Sequence, residues 1–323
     1  MINLRVLTNK VIGDTEIMKD FRDLLKSKVG MGGCEGKECF QYAWDNNIRF
    51  FDTGWGYHGG ENDSYLKDFL KDKTDYVICQ KLPLFDGLYQ ERYGKSSYRM
   101  TDEELEKAIR DIFSEQCKRC GVEYFDIYML HAIFDMQHSS KYNIYDDIDL
   151  YKRISSILLK MKAEGKIGHI GFSAHITFER LCLFLNEVDP DNKIFDVAEV
   201  SYNALNNIGA SVERPSPFVA MHNVMVWDAI GERGIRYLKE KGYFIIDMMP
   251  TESGRLLQVS TAPDFIRWNL SLISMNKDID LILAGTKNPK HMDQIFIAVG
   301  EKEDPEPVPD MRVINSGISH CHE

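Results

Sequence analysis

Phe50-Phe51-Asp52-Thr53-Gly54-Trp55-Gly56-Tyr57-His58-Gly59-Gly60-Glu61 is the stretch on which the reading of this chain turns. The apolar run from Ile48 to Phe51 has the length of a buried strand; it stops at Asp52, and small residues carry the chain on to Tyr57 and into a segment of helical character. A strand thus delivers an acid, and shortly afterwards a phenol, to its C-terminal end. Three further apolar runs finish in the same way: Tyr76-Val77-Ile78-Cys79-Gln80 in Lys81, Phe125-Asp126-Ile127-Tyr128-Met129-Leu130 in His131, and Ile167 to Phe172 in Ser173. Acid, amine, imidazole and hydroxyl at the same end of successive strands mark the face of a parallel sheet or barrel where active sites collect.

Outward from that stretch, strand and helix alternate regularly. Helices are expected at Lys37 to Asn46, Asn62 to Lys71, Asp102 to Cys120, Leu150 to Glu164, Phe178 to Glu187, Gly231 to Lys241, Ala262 to Ile273 and Lys290 to Val299. A first short strand within Ser27 to Gly33, and later ones at Ile194 to Val200, Tyr243 to Met248 and Ile279 to Ala284, complete eight strand and helix units. That number predicts an α/β fold, a (β/α)8 TIM barrel, as one catalytic domain over residues 1–302. The alternation in Asn3-Leu4-Arg5-Val6 and the polar turn Thr8-Asn9-Lys10 predict a short N-terminal hairpin that caps the fold. Beyond Lys302, Glu303-Asp304-Pro305-Glu306-Pro307-Val308-Pro309 cannot hold a helix, so 303–323 is expected as an extended C-terminal tail.

Composition narrows the partners. A formal net charge of −11 argues against a nucleic-acid groove or an acidic membrane surface, both of which favour basic patches, and leaves small molecules as the expected partners. The N-terminus has no basic segment followed by an apolar one, and no run of about 18 apolar residues occurs, so the expectation is a soluble, cytoplasmic protein. The chain's 7 cysteines are odd in number and lie mostly in apolar segments, which suits a reducing compartment rather than a disulfide framework. Cys117 and Cys120 form C-x-x-C inside a helical pattern without a second pair, and read as ordinary helix cysteines; no metal is expected.

At these residues the chain resembles the aldo-keto reductase family, along nearly all of its length from Gly30 to Gly300. The resemblance rests on Phe51-Asp52-Thr53 with Tyr57, on Lys81 closing a strand, on Asp126-Ile127-Tyr128-Met129-Leu130-His131, on Gly165-Lys166-Ile167-Gly168-His169-Ile170-Gly171-Phe172-Ser173, and on Tyr202-Asn203. Tyr57-His58-Gly59-Gly60-Glu61 looks most like a bacterial subgroup that often carries a C-terminal iron-sulfur segment, but the cysteine cluster is missing, since only Cys321 lies beyond residue 182. The resemblance implies a (β/α)8 barrel, NADPH or alternatively NADH as hydride source, and a catalytic tetrad of Asp52, Tyr57, Lys81 and His131. It further implies that Ser173 holds the nicotinamide carboxamide, that Met248 lies against the nicotinamide ring, and that Gly285, Thr286 and Lys287 receive the adenosine phosphate. Lys287 favours NADPH. Gly32, in the glycines that end the first strand, permits close backbone approach to the cofactor. Where the family commonly has glutamine this chain has Glu199, which either meets the carboxamide or pairs with a nearby cation.

The chemistry explains the residue types. Carbonyl reduction needs a hydride at carbon and a proton at oxygen, and a tyrosine of pKa about 10 relays protons poorly near neutrality unless neighbours lower that value. Lys81 would favour the tyrosinate, Asp52 would keep Lys81 charged, and His131 would donate to the substrate oxygen. Trp55 is expected to line the substrate site. The connection Leu205 to Trp227, long and rich in apolar residues, is expected to form a lid or wall in which Trp227 meets the substrate. A cofactor-binding or regulatory subunit without turnover, and a lyase or isomerase using Lys81 in a Schiff base, are the competing readings.

Overall fold

Eight short strands that are apolar on both faces can bury both only when helices cover the outside and the sheet closes on itself. The computed structural model does this. It describes residues 10–11, 16–17, 20–33, 37–134, 144–207, 209, 227–256, 263–286 and 288–304. A two-residue ladder, β1 (Lys10–Val11) with antiparallel β2 (Glu16–Ile17), precedes a closed parallel barrel. In order around the barrel its strands are β3 (Val29–Met31), β4 (Phe50–Asp52), β5 (Val77–Leu82), β6 (Phe125–Ile133), β7 (Ile167–Ala174), β8 (Val197–Ser201), β9 (Phe244–Met248) and β10 (Leu281–Ala284), and β10 closes on β3. The fold is the TIM barrel expected from the sequence.

Alternation along the strands separates two cores. Phe50, Val77, Cys79, Ile127, Met129, Val197, Ile246, Leu281 and Leu283 fill the barrel, while Phe51, Ile78, Tyr128, Ile170, Phe172, Ala198 and Ile282 pack outward against the helices. Each fully buried large side chain contributes about 2 kcal/mol of transfer free energy. Barrel closure also leaves little room inside: a Cβ on Gly30 would lie 2.8 Å from Leu281 and 3.0 Å from Phe50. The period of two then fixes the functional face, because continuing the inward positions by two residues reaches Asp52 from Phe50, Lys81 from Cys79, His131 from Met129, Glu199 from Val197 and Met248 from Ile246. A slip of one residue would turn all of them outward.

The segment before the barrel caps its lower end. Asp20 accepts from the backbone of Arg22 and starts a 3-10 turn, Phe21–Leu24, whose Phe21 and Leu24 enter the inner core; Phe21 meets Phe244 and His169 edge-on at 5.0 and 4.9 Å. Of the hairpin expected around Asn3-Leu4-Arg5-Val6 and Thr8-Asn9-Lys10, residues 3–9 lie outside the described residues, while Lys10 belongs to the ladder with Glu16–Ile17 rather than to a turn. Three other elements depart from the sequence reading. The connection after β5 contains a helix, Asp86–Tyr93, and the helix expected to begin at Leu150 begins at Ile144. The strand expected to end in His131 runs on to Ile133 across a bulge, with Ala132 at φ 53°. The expected tail beyond Asp304 lies outside the described residues, as does most of the connection from 205 to 227. Among the described residues no helix is long and apolar enough to cross a membrane.

Candidate active site

Lys81 is the centre of the site. It sits at the inward end of β5, is fully buried, and donates to Asp52 Oδ1 on the neighbouring strand; a second contact reaches the carbonyl of Thr53 at 3.4 Å. An isolated buried ammonium would be expelled or deprotonated, so its presence demands compensation. Burial favours the neutral amine, but Asp52 and then Glu199 overcome it and hold the Lys81 pKa well above its ordinary value. The backbone of Lys81 is fixed from outside the barrel: Gln116 of the helix Asp102–Cys120 donates to its carbonyl at 2.8 Å and accepts from Tyr128 at 2.6 Å.

Tyr57 opens a 3-10 turn, Tyr57–Gly60, in which His58, Gly59 and Gly60 all have positive φ. The Lys81 ammonium lies 5.1 Å from the centre of the Tyr57 ring, and the same ring meets the imidazole of His131 edge-on at 6.0 Å. Asp52, Tyr57, Lys81 and His131 are therefore brought together at one mouth of the barrel. The loop between Asp52 and Gly60 is held by a buried polar network behind it. Thr53 donates to Asp63 at 2.7 Å and accepts from Asn62 at 2.8 Å, while Arg119 pairs with Asp63 at 3.1 Å and donates to the carbonyls of Gly60 and Trp55 at 2.6 and 3.3 Å.

Burial pushes the Tyr57 phenol above its ordinary value, Lys81 pulls it back, and Asp52 and Glu199 push it up again. This corrects the expectation that the neighbours lower it. Each carboxylate opposes the ammonium to the extent that it is ionised, and the phenol is buried. Asp52 is likewise raised, by burial first, against the pull of Lys81.

Glu199 lies inside the barrel, 1% exposed, with Oε2 3.2 Å from Lys81 Nζ, in ion-pair range. Of the two placements expected for it, this is the one beside a cation. Asp52, Cys79 and Glu199 offer ligand atoms within 4.8 Å of one another, and two of the three already contact the Lys81 ammonium. Cys117 and Cys120 are buried helix residues, and burial pushes the Cys117 thiol up to about 12.

The sequence profile of the aldo/keto reductase family matches residues 35–306. The chain belongs to the aldo/keto reductase family. No curated protein matches it in sequence. Solved aldo-keto reductases share the fold at low identity. One from Klebsiella pneumoniae in complex with NADPH has TM-score 0.57 and 12% identity over 90% of this chain and 89% of its own. Another from that organism, with NADP and acetate, has TM-score 0.59 and 13% identity over 90% and 89%. The holo form of an aldo-keto reductase from Bacillus halodurans has TM-score 0.56 and 15% identity over 90% and 91%.

Aldo/keto reductases are oxidoreductases, and residues along the upper rim of this one could hold a cofactor. Ser173 accepts from the Ala132 amide at 2.9 Å in the bulge and retains its own O–H for donation. Met248, at the inward end of β9, supplies a polarisable apolar face. Gly32 and Gly285 leave bare backbone where β3 meets β10; the Gly32 amide donates to Ala284 at 3.0 Å, and a Cβ on Gly285 would have only the Gly33 carbonyl nearby, at 3.5 Å. Thr286 accepts from the Asn288 amide at 3.1 Å, next to the N-terminus of the helix Pro289–Ala298, which Asn288 caps. Lys287 lies outside the described residues.

Of the two tryptophans, Trp55 stands between the guanidinium groups of Arg119 and Arg92, 4.9 and 5.4 Å from its ring, on the tetrad side. Trp227 stands between His175, at 5.2 Å, and Arg255, at 5.3 Å. Sequence reasoning missed three residues of this rim. Phe85 meets His131 edge-on at 6.1 Å, His175 lies tilted against Trp227, and buried Glu252 accepts from the Trp227 amide at 2.9 Å and from Asn203 at 2.7 Å. His175 could have been found, since it lies two residues beyond Ser173. Phe85 and Glu252 left no local signal.

Proposed function

We propose that the chain reduces an aldehyde or ketone, or oxidises the corresponding alcohol, with NADPH as the preferred cofactor and NADH as the alternative. The observation that carries this reading is the fully buried Lys81 ammonium, held by Asp52 and set 5.1 Å from the ring of Tyr57, whose other neighbour is His131. The nicotinamide, when bound, supplies or takes the hydride. Everything else belongs to the chain.

Tyr57 holds the proton. Because burial keeps its phenol protonated, Tyr57 is ready to donate O–H to a carbonyl oxygen as negative charge develops there. Lys81 stabilises the tyrosinate that remains, Asp52 keeps Lys81 charged and oriented, and His131 shares the substrate oxygen with Tyr57. Ser173, Met248, Gly32, Gly285 and Thr286 are the residues that would hold the cofactor, with Lys287 adjacent to them in sequence. Trp55, Phe85, Trp227 and His175 bound the space left for a small carbonyl compound, and their rings favour an apolar body on it.

NADPH oxidation against a panel of simple aldehydes and ketones tests the reading. Turnover that disappears in Tyr57→Phe while NADPH still binds, as measured by fluorescence titration, is expected. Carbonyl reduction by Tyr57→Phe within a few fold of the parent removes Tyr57 from its role, and tight NADPH binding without turnover on any substrate points to a binding subunit instead.

A further inference from the structure

Two carboxylates and one ammonium share the dry upper layer of the barrel, and proton donation by Tyr57 calls for only one of those carboxylates. Asp52 takes the hydrogen bond of Lys81. Glu199 stands on β8, paired in register with Ser173 on β7 and Ile246 on β9, and among the described residues Lys81 of β5 is the cation in ion-pair range of it. The titratable groups that face it are Asp52 on β4, Lys81 and Cys79 on β5, and Tyr57 beyond β4. Were Asp52 and Glu199 both ionised, this layer would carry one uncompensated negative charge, with Asp52 2% and Glu199 1% exposed and so shielded from bulk solvent. Two adjacent carboxyl groups resolve this by one of them keeping its proton.

On the reductase reading above, we propose that Glu199 is a positioning residue that stays protonated against Asp52, keeps the Asp52–Lys81 pair electrically neutral, and thereby lets negative charge develop on Tyr57 during proton donation. The proton on Glu199 is not transferred. The proton that forms the alcohol O–H comes from Tyr57, and Glu199 acts only through the charge it withholds. Burial first, and the neighbouring Asp52 second, hold the Glu199 carboxyl well above the usual carboxylate range. The effect on Tyr57 has a definite sign, since ionised Glu199 raises the phenol's proton affinity and opposes the tyrosinate. Raising the pH through the ionisation of Glu199 therefore slows reduction before Tyr57 itself titrates.

Glu199→Gln is the neutral mimic of the protonated acid and separates this role from a merely structural one. The pH profile of kcat/KM for carbonyl reduction is expected to show an alkaline limb in the parent that Glu199→Gln lacks. With each protein normalised to its own rate at neutrality, the variant should be about tenfold faster than the parent one pH unit above the parent's midpoint. The same limb in both proteins overturns the proposal. If the parent reduces no carbonyl compound, the reductase reading fails and infrared spectroscopy decides on Glu199 alone. A protonated carboxyl stretch that titrates away at alkaline pH and is missing from Glu199→Gln supports the proposal, and a spectrum unchanged by the substitution refutes it.

Discussion

The ring of Tyr57 rests on the backbone of Gly54: a Cβ at residue 54 would lie 2.9 Å from Cε1 and 3.1 Å from Cδ1. Gly33 also closes on the ring, with a built Cβ 2.7 Å from Cδ2. The phenol is thus located by two places where a side chain is missing. Gly54→Ala must displace the ring, and since a misplacement of about 1 Å can cost about a hundredfold, kcat should fall by about ten- to a hundredfold with NADPH affinity unchanged. Gly56→Ala is the control, because a Cβ there meets nothing within 4 Å and φ is −102°. Equal kcat in the two variants would show that the ring can yield.

Arg119 grips the same loop at both ends through the carbonyls of Trp55 and Gly60, and is itself anchored on Asp63. Arg119→Met keeps the apolar stem and removes the donors, leaving the Asp63 carboxyl without its counter-charge in a buried place. The expected outcome is a loss of about 2 kcal/mol of stability in denaturant unfolding, together with a fall in kcat at constant cofactor affinity. Loss of stability with unchanged kcat would show that the loop is held without the clamp.

Much of this was legible in the sequence, for a physical reason. Strands buried on both faces must be apolar throughout, so a polar residue at the end of such a run, as at Lys81 or His131, stands out against its own strand. Glu199 was visible in the same way, but not what it would meet, because its partner Lys81 is 118 positions away in the chain and only barrel closure sets the distance between them. Contacts that depend on closure left no local trace. Arg119, Phe85 and Glu252 act on the rim from other elements, and nothing in their own segments distinguishes them from surface helix or loop residues. The helix Asp86–Tyr93 escaped because its apolar periodicity is weak; it is organised by Asp86, which accepts from Ser96 at 2.8 Å and from the Ser97 amide at 2.9 Å.

Glu252 ties together three connections above β8 and β9. It is fully buried, has φ 51°, and accepts from the Trp227 amide, Asn203 and Asn206, with neighbouring Met249 and Ser253 also at positive φ. Trp227→Ala removes the ring that lies against His175 without touching this network, whereas Glu252→Ala removes the network. The first should raise KM for the carbonyl substrate with little effect on cofactor affinity; the second should destabilise by about 2–3 kcal/mol and weaken both ligands. Unchanged kinetics for Trp227→Ala across several substrates would take Trp227 out of the substrate wall.

The lower end of the barrel gives a test of stability against pH. Asp196 sits just before β8, where its amide donates to Ile170 at 2.8 Å and its carbonyl accepts from Phe244 at 3.0 Å, so it joins β7 to β9. Burial raises its carboxyl, but Lys162 at 2.7 Å and His169 at 3.1 Å overcome that and hold it at about 2, below the ordinary 3.8. A carboxyl depressed by folding contributes stability that is complete above its unfolded value and is lost as the pH falls through the folded one. The shift would correspond to about 2 kcal/mol without screening, but the side chain is 35% exposed, and water reduces this to about 1 kcal/mol. Asp196→Asn should therefore lower the melting temperature by about 1–2 °C at pH 7 and have almost no effect near pH 2, measured by thermal unfolding at both pH values. An equal loss at both would assign the effect to packing at the foot of the barrel and not to the charge.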